Sequence, residues 1–139
     1  MPETKSFKGS CLCGGVAYEF AGAPDGVICC HCTQCRKQTG HHFASLEADK
    51  DKFHLTRDTS LGWYEASPIA RRGFCKDCGS TLFWDEFEAP AIDILAGSID
   101  GEVGVGIKVH LHVAEKGDYY ALSGDAPHYR AGRKDSDPK

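Results

Sequence analysis

The chain has no long apolar run, no basic stripe and no extended 3.6-residue apolar period. Each absence removes a class of protein. A membrane helix needs about 20 consecutive apolar residues, and no stretch approaches that, so no membrane role is expected. Residues Met1–Gly9 lack the charged-then-apolar order of a secretory leader, which makes the cytoplasm the expected compartment. Lys and Arg number 16 against 20 Asp and Glu, a net charge of −4, which argues against a nucleic-acid partner. There is no glycine-rich phosphate loop, no dinucleotide fingerprint and no nucleophilic-serine elbow. Glu19, Glu47, Asp77 and Asp85 are not spaced as an acid–base pair. No repeat or linker interrupts the 139 residues, so one domain over 1–139 is expected, with a polar, disordered tail at 131–139.

Cysteine is what the chain does have. Eight cysteines fall into three tight groups: Cys11 and Cys13; Cys29, Cys30, Cys32 and Cys35; Cys75 and Cys78. In a reducing compartment such grouping favours metal binding over disulfides, because two thiolates on one short turn reach one ion at small entropic cost. Cys11 and Cys13 share a face if extended, and Gly14 and Gly15 let the backbone turn close by. Cys75 and Cys78 form a knuckle closed by Gly79. Cys30, Cys32 and Cys35 can hold a second ion, with Cys29 on the opposite face as a small buried side chain. Spacing also permits a zinc ribbon that pairs Cys32 and Cys35 with Cys75 and Cys78. A further alternative closes the middle site with His31, His41 or His42.

The remainder reads as β structure. Val16, Tyr18 and Phe20 alternate, as do Ile107, Val109, Leu111 and Val113, which are expected to face inward. Phe53 with Leu55, Gly62–Tyr64, Ala70–Phe74, Thr81–Trp84 and Ile92–Ala96 are further strand candidates. Short helical turns are expected at Thr33–Gln38 and near Pro127–Tyr129, and a hairpin-like connection at Gly101, Gly104 and Gly106. His110 and His112 are expected to face solvent, and Trp63, Tyr64 and Trp84 to line core or pocket.

Three segments carry a family resemblance. Gly9-Ser10-Cys11-Leu12-Cys13-Gly14-Gly15-Val16 is similar to the opening motif of the glutathione-dependent formaldehyde-activating family, related to centromere protein V. Cys30-His31-Cys32-Thr33-Gln34-Cys35-Arg36-Lys37 with Gly40 and Phe43 resembles its central motif. Arg72-Gly73-Phe74-Cys75-Lys76-Asp77-Cys78-Gly79-Ser80-Thr81-Leu82-Phe83-Trp84 resembles its third. Ala96–Asp100 and His110–Lys116 extend the likeness, which covers residues 7–130.

The resemblance implies a mainly β fold of stacked antiparallel sheets held by zinc, shared with a Rab-GTPase accessory protein. It implies two zinc ions per chain. A structural one would sit on Cys11, Cys13, Cys75 and Cys78, and a catalytic one on Cys30, Cys32 and Cys35. It also implies a carbon–sulfur lyase or synthase that joins glutathione and formaldehyde into S-(hydroxymethyl)glutathione.

The chemistry is coherent. A zinc with three thiolates carries a net charge of about −1 and activates water poorly. It suits a fourth, exogenous thiol, whose pKa it lowers. Arg36, Lys37, Arg71 and Arg72 are candidate partners for the carboxylates of glutathione, and His41 or His42 could move a proton. The alternative is a zinc-stabilised protein-binding module of the same fold, without catalysis.

Overall fold

The computed structural model describes residues 3–122 and 124–132; most of the tail expected to be disordered, 133–139, lies outside the described residues. The elements in chain order are β1 (Lys5–Ser10), β2 (Val16–Gly22), β3 (Val27–Cys30), α1 (Thr33–Thr39), β4 (Phe43–Asp49), β5 (Phe53–Asp58), β6 (Leu61–Tyr64), β7 (Ala70–Cys75), β8 (Thr81–Glu86), β9 (Ala91–Leu95) and β10 (Ile107–Leu111). The protein is mainly β, with antiparallel and mixed pairing. The chain forms two compact units. One comprises the chain up to Pro24 and Leu46–Gly104; the other comprises Asp25–Ser45 and the chain from Val105 onward.

In the first unit β2 lies between β1 and β5, antiparallel to both. Strands β9, β8, β7 and β6 lie side by side in that order, and the β9–β8, β8–β7 and β7–β6 pairs are each antiparallel or hydrogen-bonded neighbours. Alternation along β2 turns Val16, Tyr18 and Phe20 inward, all buried as expected. The Phe83 ring stands edge-on to Tyr18 at 5.4 Å and to Phe53 at 5.3 Å, so one aromatic from β8 fills the space over β2 and β5. Such edge-to-face pairs contribute about 0.5–1.5 kcal/mol beyond area burial. The Tyr18 hydroxyl is 2.6 Å from Ser98 Oγ. Gly9 faces that pair: a Cβ there would lie 2.2 Å from the Tyr18 oxygen and 2.5 Å from the Ser98 carbonyl oxygen.

In the second unit β3 lies between β10 and β4. β4 is antiparallel to β3, but β10 is parallel to it, which corrects the expectation of purely antiparallel sheets. A register shift between Ile107 and Val109 breaks the expected alternation in β10. Val109 is buried, Ile107 is 45% exposed, and His110 is buried at 4% exposure instead of facing solvent. The strand ends at Leu111 because His112 adopts a left-handed backbone (φ 57°), and Val113 begins a short 3-10 turn. Pro127–Tyr129 is not a helical turn. His110 N–H donates to the Pro127 carbonyl and Tyr129 N–H to the His110 carbonyl, an extended bridge along β10. The glycines at 101, 104 and 106 do not close a hairpin, since β10 takes β3 as its neighbour. Tyr64, expected in a core or pocket wall, is 64% exposed at the end of β6.

Gly9→Ala should lower stability by about 1–3 kcal/mol, the cost of overpacking a closed site. Gly22→Ala, at the far end of β2 with nothing within 4 Å of its Cβ, should change stability little. Denaturant midpoints of the two variants check this; equal midpoints would refute the close approach at Gly9.

Candidate metal centres and active site

Four sulfurs meet in the first unit. The ligand atoms of Cys11, Cys13, Cys75 and Cys78 all lie within 4.8 Å of one another. Cys11 Sγ is 3.7 Å from Cys13 Sγ, which is 3.6 Å from Cys75 Sγ. A tetrahedral zinc with bonds of about 2.3 Å places its sulfurs about 3.8 Å apart, so the donor set fits that ion. The local fold supplies the convergence. Cys11 and Cys13 sit in a turn rather than the expected extended strand end, closed by Gly14 N–H to the Cys11 carbonyl with Gly14 at φ 83°. The knuckle closes through Gly79 N–H to the Cys75 carbonyl, with Gly79 at φ 78°. A left-handed φ at both turns is what glycine permits at low cost.

Hydrogen bonds already prepare the sulfurs for negative charge. Val16 N–H donates to Cys11 Sγ and Cys78 N–H to Cys75 Sγ, both at 3.3 Å. Ser60 Oγ lies 3.1 Å from Cys75 Sγ and Ser80 Oγ 3.2 Å from Cys78 Sγ. The Ser80 contacts pull the Cys78 thiol down to about 5, and Ser60 leads the lowering of Cys75. Against a lowering hydrogen bond from Gly15, the neighbouring sulfurs push Cys13 up to about 12. Like-charged sulfurs at this spacing cannot all ionise alone; a cation resolves the conflict. A Cβ at Gly15 would strike Ser60 Oγ at 2.2 Å, so this glycine keeps Ser60 beside the sulfurs. Ser60 and Ser80 were not singled out in the sequence, because serine near a cysteine knuckle carries no spacing signal of its own.

Three sulfurs meet in the second unit. Cys30 ends β3, Cys32 is the N-cap of α1 with an extended backbone, and Cys35 lies in the first turns of α1, their ligand atoms within 4.8 Å of one another. Cys35 N–H donates to Cys32 Sγ at 3.4 Å. The sulfurs of Cys32 and Cys35, followed by burial, push the Cys30 thiol up, again a set that awaits a cation. Among the described residues no histidine or carboxylate joins the three, and the ribbon pairing with Cys75 and Cys78 does not form. Cys29 stands outside the group, fully buried, and burial pushes it up to about 11.

Helix α1 is fixed at both ends. Glu115 Oε1 accepts from Thr33 N–H at 3.1 Å and from Thr33 Oγ1–H at 2.7 Å, and Gly40 closes the C-terminus at φ 82°. Its last turn carries Arg36, half-buried, and Lys37, exposed. Arg72 is buried in β7 of the other unit, which leaves it little surface to offer a ligand. Arg71 is engaged: its Nε is 2.8 Å from Asp85 Oδ2 and its guanidinium lies 3.8 Å from the Trp63 ring centre.

Beside the three sulfurs the chain gathers imidazoles. His31, between Cys30 and Cys32, is fully buried and turns its ring away from the sulfurs. Its Nδ1 is 2.6 Å from the Tyr120 hydroxyl and its Nε2 is 2.9 Å from His110 Nδ1. Burial, then His42 and His110, press its pKa down to about 4. His41 Nδ1 is 2.7 Å from His42 Nδ1, and the His41 ring stacks on Tyr120 at 4.1 Å. Burial and then His41 lower the pKa of His42. These rings line a cavity of about 200 Å³ that Ile107 and Leu122 also border. Tyr120 and the inward His110 were not legible in the sequence. Tyr120 lies in an irregular segment, and the alternation of β10 pointed the imidazole outward.

Cys75→Ser should remove the metal of the first unit and much of the stability of the fold, because structural metal binding contributes on the order of 10 kcal/mol in small zinc modules. Cys35→Ser should leave a folded protein holding one metal ion. Metal counts and thermal melts of both variants check this. Indistinguishable behaviour would mean that the two cysteines serve one site.

Comparison with known proteins agrees with this architecture. A stretch of 84 residues is 32% identical to a Schizosaccharomyces pombe protein described as an uncharacterized lyase, covering 60% of this chain and 58% of that relative's length. A Rhodobacter sphaeroides protein of known crystal structure superposes with a TM-score of 0.58 at 23% identity, over 72% of this chain and 98% of the other, a likeness of fold. The sequence profile of the glutathione-dependent formaldehyde-activating enzyme matches residues 6–115, a stretch that contains both sulfur clusters and the helix between two of their strands. The chain belongs to the glutathione-dependent formaldehyde-activating enzyme family.

Proposed function

We propose that the protein is a carbon–sulfur lyase, acting in either direction on the adduct of glutathione and a small aldehyde such as S-(hydroxymethyl)glutathione. The observation that carries this reading is the three-sulfur set of Cys30, Cys32 and Cys35, which no fourth protein ligand completes among the described residues. The family and the lyase description of the yeast relative support the reaction class. Zinc is the ion the donor set favours, one in each cluster, with the four-cysteine site structural. A zinc held by three thiolates would supply an acceptor for the substrate sulfur and lower the pKa of its thiol.

The chain's own residues do the rest. Arg36 and Lys37, in the last turn of the helix that carries Cys35, are the cations that would meet the carboxylates of glutathione. Glu115 anchors the start of that helix through Thr33, so the ligand-bearing turn keeps its place when substrate arrives. Reduced thiols of this kind belong in the cytoplasm, where we place the reaction.

In the cobalt-substituted protein, millimolar glutathione should change the visible thiolate spectrum, and Cys35→Ser should abolish that change. Formaldehyde added with glutathione should then yield the adduct faster than the same mixture without protein. An unchanged spectrum, with the adduct forming at the uncatalysed rate, would refute the lyase reading and favour the binding module.

A further inference from the structure

We propose that the four-sulfur cluster of the first unit is a site of reversible oxidation by hydroperoxides. Cys13 is the sulfur attacked, and Cys75 is the sulfur that closes a disulfide on it. The proposal stands apart from the lyase reading, since it concerns the cluster that the reaction does not use.

Exposure singles out one sulfur. Of the eight cysteines only Cys13 is exposed; Cys11, Cys29, Cys35 and Cys75 are buried, and Cys30, Cys32 and Cys78 lie between. The turn does little to cover Cys13. Leu12 before it is 88% exposed, and Gly14 and Gly15 after it have no side chains. Arg57 Nη1 donates to the Gly14 carbonyl at 2.8 Å, which sets a positive charge against the neighbouring residue. Access and positive surroundings are what separate oxidisable cysteines from inert ones. None of Cys30, Cys32 and Cys35 is exposed, so a dilute oxidant meets the first cluster before the second.

A resolving thiol is the other requirement. Cys75 Sγ is 3.6 Å from Cys13 Sγ, and Cys11 Sγ is 3.7 Å from it. Cys11 lies two residues from Cys13 on the same turn, where a disulfide would close a small, strained ring. Cys75 comes from a separate turn, 62 residues along the chain. Its sulfur and that of Cys13 need to close by only about 1.5 Å to reach a disulfide bond of about 2.05 Å.

The electrons balance in two steps. The Cys13 thiolate attacks one oxygen of the hydroperoxide. An S–O bond forms, the O–O bond breaks, and the leaving oxygen takes a proton from water. Cys13 is then a sulfenic acid, oxidised by two electrons that the peroxide has gained. The Cys75 thiolate next attacks Cys13 Sγ. The S–S bond forms, the S–O bond breaks, and hydroxide leaves and is protonated to water.

Oxidation and metal binding then exclude one another. The disulfide leaves Cys11 and Cys78 as the free donors of the set, too few for a closed tetrahedral site. A thiol such as glutathione reverses the change. One thiolate attacks Cys13 Sγ and releases Cys75; a second attacks the mixed disulfide, releases Cys13 and leaves as the oxidised dimer.

The test uses the metal-loaded full chain, freed of added thiol. Hydrogen peroxide is added in small excess, free thiols are alkylated at intervals, and the peptides are mapped by mass while a chromogenic chelator reports released metal. The Cys13–Cys75 disulfide should appear as one metal ion per chain is released, at least about 10-fold faster than Cys30, Cys32 and Cys35 lose their alkylation. Glutathione with added zinc should restore both the thiols and the metal content. No residue is replaced, so the result does not depend on the folding of a variant. Earlier oxidation of Cys30, Cys32 or Cys35 would overturn the proposal. So would a Cys11–Cys13 disulfide, release of the ion with Cys13 and Cys75 still alkylated, or a product that glutathione does not reduce.

Discussion

Mutual repulsion among close thiolates is the constraint on which this structure turns. Cys13 and Cys75 stand 62 residues apart in the chain and 3.6 Å apart at their sulfurs. Nothing apolar draws them together, and ionised they would part. A cation bound there would make their meeting favourable and would join the turn after β1 to the turn after β7. The hydrogen bonds of Ser60, Ser80 and the Val16 amide reach the same sulfurs. Much of the first unit is thus organised around charge, with the Tyr18–Phe83–Phe53 aromatic contacts beside it.

The second unit treats the same chemistry differently. It provides three sulfurs rather than four, and it sets a cation-bearing helix next to them. Where a fourth ligand could have been drawn from His31, that ring is tied to Tyr120 and His110 instead. Two hydrogen bonds and complete burial hold it away from the sulfurs. Among the described residues the three-sulfur set gains no ligand from His31, and the imidazoles instead line the cavity of this unit.

Much of this was legible in advance, for physical reasons. Metal cysteines announce themselves by spacing, because ligands must converge on one point from short turns. Residues 53–58, 61–64, 70–75, 81–86 and 91–95 form strands close to the expected ones, because half-buried antiparallel strands alternate. Where alternation fails, so did the reading. β3 is a four-residue run buried along most of its length, and β1 has only Phe7 and Gly9 as buried positions. β10 pairs parallel with β3 across a register shift, which turned His110 inward against its apparent pattern. Tyr120 could not be found at all, since its role comes from contacts with residues 31, 41 and 116 rather than from its neighbours in sequence.

Sulfur counting at the metal tests the central claim most directly. X-ray absorption at the zinc edge, on protein holding two zinc ions, reports the mean number of sulfur neighbours. One closed and one open site predict about 3.5 sulfurs per zinc with a light-atom neighbour, rising to about 4 when glutathione is added. Four sulfurs without added thiol, or a histidine signature that glutathione does not displace, would contradict an open three-cysteine site.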